Sequence, residues 1–184
     1  KKADFLIPDY QRPYAWSEEQ CQTLWDDIFL FSFPDNNYEA FDDNEEYFLG
    51  SIVTYKNENG KSEVIDGQQR LTTLMLILRA FYDKFESMKD KNSILTRDRI
   101  EKCIWKTDTF GTADKNTLKI DSEVATDNDK DEFLDLLRTG VVKKGSKSQY
   151  VLNYQFFQKK IDEFLQEFPS FFPYLPARIL SNCI

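Results

Sequence analysis

The segment Asp66-Gly67-Gln68-Gln69-Arg70 stands between an apolar β-type stretch and an apolar helical stretch. A helix that begins here has free backbone N–H groups and a partial positive charge, and both bind anions. Gly67 lets the backbone approach a phosphate closely. Arg70, in the first helical turn, could add a charge-assisted and often bidentate contact. The sequence therefore predicts a phosphate-binding turn between a strand and a helix.

The other three side chains of this segment could add catalysis to binding. Gln68 and Gln69 carry amide donors and acceptors that could hold phosphate oxygens or orient a water molecule. Asp66 could hold Mg²⁺ through its oxygens or polarise a water. In the alternative interpretation, Asp66 is only the N-cap of the helix and the glutamines are solvated. The spacing fits both interpretations equally.

A second candidate segment spans residues 7–16 and combines stiff prolines, three aromatic rings and one cation. Arg12 could reach a phosphate, while Tyr10, Tyr14 or Trp16 could stack on a base. In the alternative interpretation, this is an aromatic loop that packs over the sheet. Taken alone, the segment favours the alternative.

The chemistry of Arg12 predicts where the two segments lie relative to each other. A partly buried guanidinium needs anionic or carbonyl partners, and Asp66 or a bound phosphate would serve. We therefore expect Gln11 and Arg12 to lie in one cleft with Gly67. The alternative pairs Arg12 with an acid of residues 42–46.

The composition predicts a folded, acidic chain. Of its 184 residues 41% are hydrophobic, enough for a packed core. Its net charge of −8 does not suit a free-standing binder of duplex DNA, which usually has a basic stripe. The chain has no histidine, which excludes a Ser-His-Asp triad, a Cys-His pair and a His-metal nuclease within it.

Nothing in the sequence predicts membrane insertion or secretion. No apolar run approaches the roughly 20 residues needed to span a bilayer, and Lys1-Lys2 is followed closely by Asp4 instead of an apolar stretch. The three cysteines are far apart and suit a reducing compartment; they are Cys21, Cys103 and Cys183. We expect a cytoplasmic protein.

Hydrophobic periodicity predicts a mixed first half. A strand at residues 5–7 precedes a helix whose start, Ser17 with Gln20, fits a capping box. The buried face of this helix is predicted from helical spacing and comprises Cys21, Leu24, Trp25, Ile28 and Phe31. The acidic stretch 34–46 is a predicted loop; a metal site is conceivable there, but a solvated charge run is favoured.

The phosphate-binding turn follows a predicted hairpin. Strands over 47–55 and 62–65 are joined at Asn59-Gly60, a strong hairpin signal. The helix after Gly67 is apolar over a wide face as far as Phe85, so it should be central to the core.

The second half is predicted to be mostly helical. Helices are expected over 97–105, 129–138 and 150–168, and residues 107–129 read as a loop with a short strand near 118–120. We predict two units, 1–90 and 91–184. Because the chain lacks an initiator Met and stops within the apolar stretch 177–184, we expect a fragment truncated at its C-terminus.

Four motifs resemble the N-terminal domain of GmrSD-type restriction endonucleases, a large bacterial and archaeal family. Their order and spacing match over residues 4–85, with one further match on the last predicted helix. The motifs are Ile7-Pro8-x-Tyr10-Gln11-Arg12-x-Tyr14-x-Trp16, Tyr47-Phe48-Leu49-Gly50-Ser51-Ile52-Val53, Val64-Ile65-Asp66-Gly67-Gln68-Gln69-Arg70-Leu71-Thr72-Thr73-Leu74 and Asn153-Tyr154-x-x-Phe157.

The resemblance implies an α+β fold with a ParB/sulfiredoxin-like core, a small mixed sheet and a helical extension. In that superfamily a Gly-x-Arg-Arg-like turn contacts nucleotide phosphates. Gly67 to Arg70 occupies the matching place, with Gln69 where the first arginine would be, so nucleotide preference does not transfer directly. Gln11, Arg12 and Thr72 are then further nucleotide-binding candidates.

The resemblance also implies a role in phage defence. Family members are described as NTP-hydrolysing modules that license a DNA-cleaving partner against glucosylated hydroxymethylcytosine DNA or phosphorothioated DNA. The cleaving part contains histidine and lies further along the chain or on a second subunit, so this chain is not that part. The sequence is compatible with a monomer and with a homo-oligomer.

Two functions follow from the sequence. The first is a Mg²⁺-dependent NTPase with Asp66, Gln68 and Gln69 as catalytic residues, and it is favoured because a pure binder has little use for a carboxylate beside a phosphate. The second is a non-hydrolysing module that binds nucleotide or modified DNA and signals to a nuclease. A third, weaker alternative is a scaffold that has lost its activity.

Overall fold

The computed structural model describes residues 5–42, 44–170, 172 and 174–180. The predicted α+β class is confirmed. The helices are α1 (Glu18–Ser32), α2 (Gln68–Glu86), α3 (Lys91–Ile104), α4 (Lys130–Thr139), α5 (Gln149–Glu167) and α6 (Tyr174–Arg178). The strands are β1 (Phe5–Ile7), β2 (Val53–Lys56), β3 (Ser62–Asp66), β4 (Trp105–Thr107), β5 (Ala113–Leu118) and β6 (Ile120–Ser122).

A mixed four-stranded sheet has the order β2-β3-β1-β6. The strand β1 is parallel to both of its neighbours, and Phe5 lies opposite Ser62 of β3 and Ile120 of β6. The strands β2 and β3 form the antiparallel hairpin that Asn59-Gly60 predicts. The strands β4 and β5 form a separate two-stranded sheet. The carboxyl end of β3 therefore leads directly into α2.

The helix α2 lies at the centre of the hydrophobic core, as its apolar width predicts. Leu76, Ile77 and Phe81 are fully buried. A helix that is apolar over most of its circumference must be covered on several sides, and α2 packs against both α3 and α5. Its first turn is thereby fixed relative to the rest of the fold.

Several predicted boundaries are wrong. Residues 47–52 are not strand, because Gly50 adopts a φ of +93° and turns the chain before β2 begins at Val53. Helix α3 begins six residues before Arg97, since the Asp90 side chain accepts the Ser93 N–H and caps it there. Phe31 is only half-buried.

The stretch 107–129 contains two strands where a loop was predicted. The strand β5 is mostly polar and carries no apolar alternation, so its sequence does not reveal it. The strand β6 pairs with β1, so the main sheet crosses the boundary predicted near residue 90. The division into 1–90 and 91–184 otherwise stays a prediction.

Some features named from the sequence lie outside the described residues: positions 1–4, Asp43 and residues 181–184, including Cys183. Within the described part of the chain, no helix combines the length and apolar character needed to cross a membrane.

A buried polar network joins α5 to the N-terminal segment and to α2. The Asn153 amide donates to the Trp16 carbonyl and to the Tyr14 hydroxyl, both at 2.8 Å. The Tyr14 hydroxyl in turn donates to Thr73 on α2, at 2.8 Å, and burial raises the pKa of Tyr14. Asn153 thus connects the last long helix to the segment 14–16.

We predict that Asn153→Ala destabilises the fold. The change removes the donor to the Trp16 carbonyl and to the Tyr14 hydroxyl, which keeps its bond to Thr73, and loss of one partner of a buried polar group costs about 1–3 kcal/mol. Thermal or urea denaturation measures the loss. The matched control is Asn92→Ala, at an exposed position of α3, which should change the free energy of unfolding little. Equal effects of the two substitutions would contradict the role assigned to Asn153.

Candidate phosphate-binding site

The turn between β3 and α2 leads directly into the N-terminus of α2. The strand ends at Asp66, and Gly67 is the N-cap residue with φ +87° and ψ 9°. No side chain caps this end of α2. The Asp66 side chain is largely exposed, so the alternative in which Asp66 is the N-cap is wrong. The first turn of α2 keeps its amide groups available for a ligand.

Two glycines let the segment 50–52 close over this turn. A Cβ atom on Gly67 would lie 2.8 Å from the Ser51 carbonyl oxygen, and one on Gly50 would lie 2.0 Å from Nη1 of Arg70. Nη2 of Arg70 donates to the Ser51 carbonyl and lies 3.5 Å from the Asp66 carboxylate. The guanidinium is thus held at the turn by backbone.

The two predicted segments line one cleft of about 360 Å³, named here the phosphate cleft. Gln11 and Arg12 line it together with Gly67, as expected from the sequence, but Arg12 is exposed and not partly buried as predicted. The residues that line it are Gln11, Arg12, Trp16, Ile65, Asp66, Gly67, Gln68, Gln69 and Arg70. No ion pair joins Arg12 to an acid among the described residues of 42–46.

The glutamine side chains connect the two segments. Gln69 accepts the Ala15 N–H at 2.8 Å and donates to the Pro13 carbonyl at 3.0 Å. Gln68 donates to the Arg12 carbonyl at 3.0 Å. Both glutamines are buried, so the alternative in which they are solvated is also wrong.

Gln11 adds a third glutamine contact between the two segments, this time from the N-terminal segment to β3. Its amide donates to the Ile65 carbonyl at 3.0 Å and to the Val64 carbonyl at 3.2 Å. Gln11 therefore holds the end of β3 instead of pointing its donors at a ligand. The Gln69 amide binds backbone through both its oxygen and its nitrogen, so its contacts in the structure are structural ones, and its catalytic role stays a prediction.

Three other predicted ligand-binding side chains lie away from the cleft. Tyr14 is buried and stacks on Tyr150 with ring centroids 4.8 Å apart, so it belongs to the core and cannot stack on a base. Thr72 is buried within α2 and does not line the cleft. Tyr10 is exposed but does not line it either. Of the predicted base-stacking rings, only Trp16 lies at the site.

The electrostatics of the cleft suit an anion. Arg12 and Arg70 face a single carboxylate, Asp66, among its lining residues. This local excess of positive charge contrasts with the net charge of −8 of the chain. It adds to the partial positive charge at the start of α2.

The cleft does not provide a metal cage made of protein groups alone. Within the described residues, no group of three or more Cys, Asp or Glu side chains could hold a metal ion. Mg²⁺ usually needs only one or two carboxylates together with phosphate oxygens and water. Asp66 beside a bound phosphate fits that requirement.

Sequence reasoning missed the roles of Gly50, Ser51 and Asn153. Gly50 and Ser51 were placed in a strand, and the positive φ of Gly50 could not be read from β-forming neighbours. Asn153 was noticed only as part of a motif. An asparagine on the apolar face of a helix is a signal that could have indicated a buried hydrogen-bonding role.

Comparison with protein families gives one match. A family model described as the N-terminal domain of the GmrSD restriction endonuclease matches residues 1–182, which is nearly the whole chain. A search of curated proteins found no match. The family match includes both segments that line the phosphate cleft.

We predict that Gln69→Glu destabilises the protein in a pH-dependent way. A carboxylate cannot donate to the Pro13 carbonyl, so we expect a loss of about 1–3 kcal/mol at pH 7–8. The missing donor raises the pKa of the introduced carboxyl in the folded state, so the loss should shrink as the pH falls toward about 4.3, the ordinary value for glutamate. Gln155→Glu, at an exposed position of α5, makes the same charge change and should show little loss. A pH-independent loss for Gln69→Glu would contradict the donor role.

Proposed function

The chain belongs to the GmrSD N-terminal domain family, and we propose from this that its phosphate cleft binds and hydrolyses a nucleoside triphosphate to regulate a DNA-cleaving partner. Membership implies a role in a modification-dependent restriction system. One observation carries the nucleotide proposal: the uncapped start of α2 lies in one cleft with Arg12 and Arg70. These are complementary to the several negative charges of a triphosphate.

Binding begins with the backbone. The amide groups of the first turn of α2 donate to phosphate oxygens, and the positive φ of Gly67 turns the chain into that helix. Arg70 keeps its orientation through the Ser51 carbonyl and offers its remaining N–H groups to phosphate. Arg12 reaches the same cleft from the other segment. Because two arginines and a helix start converge, a polyphosphate fits better than a single carboxylate ligand.

Among the described residues that line the cleft, Asp66 is the acidic one. A carboxylate beside a triphosphate would repel it, so Asp66 would serve to hold a Mg²⁺ ion next to the phosphates. When bound, the ion supplies charge neutralisation for the transferring phosphoryl group. Its presence is a proposal that rests on the donor set.

Hydrolysis would be mostly a matter of positioning and charge. A water oxygen forms a bond to the γ-phosphorus, the bond to the β–γ bridging oxygen breaks, and the diphosphate leaves with that electron pair. Arg12 and Arg70 stabilise the charge that spreads over the phosphate oxygens. Nε2 of Gln68 donates to the Arg12 backbone carbonyl. The side-chain oxygen of Gln68 then serves to orient the attacking water. The water gives up its proton to solvent or to phosphate.

A second function has support from the same contacts. Gln11 and Gln69 are committed to backbone partners, which reduces the groups for hydrolysis to Asp66 and Gln68. A module that binds a nucleotide or modified DNA and only signals to a nuclease would need no more than Gly67, Arg12 and Arg70. We retain the NTPase as the first proposal because Asp66 lines the cleft.

DNA and a nuclease domain are the expected partners of this family's restriction function. The chain contains no histidine, so we propose that DNA cleavage belongs to the partner. Association with a second copy of the chain stays a prediction.

We predict that Arg70→Ala weakens triphosphate binding. Loss of a charged hydrogen bond costs about 1.5–3 kcal/mol, which corresponds to a roughly 10- to 150-fold higher Kd. Calorimetry with Mg²⁺ and each of the four common triphosphates measures it. Arg138→Ala removes the same charge outside the phosphate cleft and should leave the Kd unchanged. Unchanged affinity in Arg70→Ala would show that the triphosphate does not bind at this turn.

We predict that Asp66→Ala abolishes phosphate release while the fold is kept. The Asp66 side chain is exposed, and its ion pair with Arg70 is weak, while its backbone pairing with Val53 is kept in alanine, so the substitution should not lower the melting temperature appreciably. Phosphate release is assayed with and without the nuclease partner. Asp131→Ala, on exposed α4 surface, is the control. If the wild-type chain releases no phosphate from any of the four triphosphates in either assay, the non-hydrolysing function replaces the NTPase.

A further inference from the structure

A second cleft adjoins the phosphate cleft, and most of its lining lies outside the two predicted segments. It has a volume of about 270 Å³ and is named here the side cleft. Trp16 and Arg70 line both clefts, so the two clefts adjoin at these residues. The residues of the side cleft are Trp16, Gln20, Thr23, Leu24, Asp27, Tyr47, Leu49 and Arg70.

One wall of the side cleft is a single face of α1. Four of its residues follow one another at i, i+3, i+4 and i+7 and therefore lie side by side; they are Gln20, Thr23, Leu24 and Asp27. Tyr47 and Leu49, in the segment before β2, also line the cleft. The cleft thus combines apolar and aromatic side chains with a few polar groups, as small-molecule sites usually do.

We propose that the side cleft holds the base of the nucleotide whose phosphates lie in the phosphate cleft. This inference rests on the proposed function. The two clefts, at about 360 and about 270 Å³, together fall within the roughly 300–1,000 Å³ typical of small-molecule sites. Arg70 lies where they join and contacts the phosphates, while Trp16 and Leu49 offer apolar surface to a flat ring.

The polar chemistry of the side cleft selects guanine. Asp27 lines it with a carboxylate, which only accepts hydrogen bonds. The Tyr47 hydroxyl donates to Oδ2 of Asp27 at 2.9 Å and orients the group. Among the four common bases, guanine alone presents two adjacent N–H donors on one edge, at N1 and at the exocyclic amino group. A carboxylate accepts both at once, so Asp27 is the specificity-determining residue.

The test exchanges the acceptor for an amide. In Asp27→Asn the side chain keeps an oxygen that accepts from Tyr47 or from N1–H, but its NH₂ group opposes the exocyclic amino group of guanine. Xanthine has a carbonyl oxygen at that position, and the variant amide can donate to it. We expect wild type to bind GTP at least about tenfold tighter than ATP, CTP or UTP, since one good bidentate base contact supplies that discrimination. Asp27→Asn should lose that preference and should bind xanthosine triphosphate more tightly than wild type does.

Inorganic tripolyphosphate separates this inference from the proposed function. It carries the phosphates without a base, so its Kd should be the same in wild type and in Asp27→Asn. Asp26→Asn is the matched control, because Asp26 is adjacent on α1 and does not line the side cleft; its GTP affinity should equal that of wild type.

Two results would overturn the inference. If the four triphosphates bind wild type equally and Asp27→Asn changes none of their affinities, the side cleft does not read the base, while triphosphate binding at the turn stands. If neither GTP nor tripolyphosphate binds wild type, the proposed function fails together with the inference.

Discussion

The site depends on the hydrogen bonds of buried glutamine amides to backbone. An amide side chain can donate and accept at the same time, so Gln69 pairs with Pro13 and Ala15 much as a neighbouring strand would. The segment 11–16 has no regular secondary structure, and buried backbone groups without partners would be costly. The glutamines of α2 supply those partners and so determine where Arg12 and Trp16 lie. Removing the Gln69 amide would leave the Pro13 carbonyl and the Ala15 N–H without these partners.

The glutamine side chains of α2 are held in fixed positions because the helix that carries them is buried. The helix α2 is covered on several sides by the core, so its first turn cannot shift without disturbing α3 and α5. Asn153 extends the same constraint, because it binds the backbone of Trp16 from α5. The groups proposed to bind phosphate are therefore preorganised by packing that lies far from them in sequence. Preorganised donors stabilise a developing charge better than flexible ones do.

The sequence revealed the local features of the site but not their long-range contacts. The β3–α2 turn follows from an apolar strand, a glycine and an amphipathic helix within about a dozen residues, so periodicity predicts it. The family motifs predict that the segment 7–16 lies beside this turn. The partners of Gln68 and Gln69 lie more than 50 residues away, and no spacing rule encodes them. For the same reason Tyr14 looked like a base-stacking ring and is a core residue, while the polar strand β5 was not recognised.

The close contact between Gly50 and Arg70 couples two positions that are 20 apart in the chain. Any side chain at position 50 would occupy the space of the guanidinium and would also strain a backbone whose φ is +93°. The arginine in this position therefore depends on the glycine, whereas the glycine is favoured by its backbone with or without the arginine. In an alignment of relatives, arginine at position 70 should accompany glycine at position 50, and relatives that have replaced the glycine should have replaced the arginine as well. Such covariation would distinguish members that retain the anion site from those that keep only the scaffold.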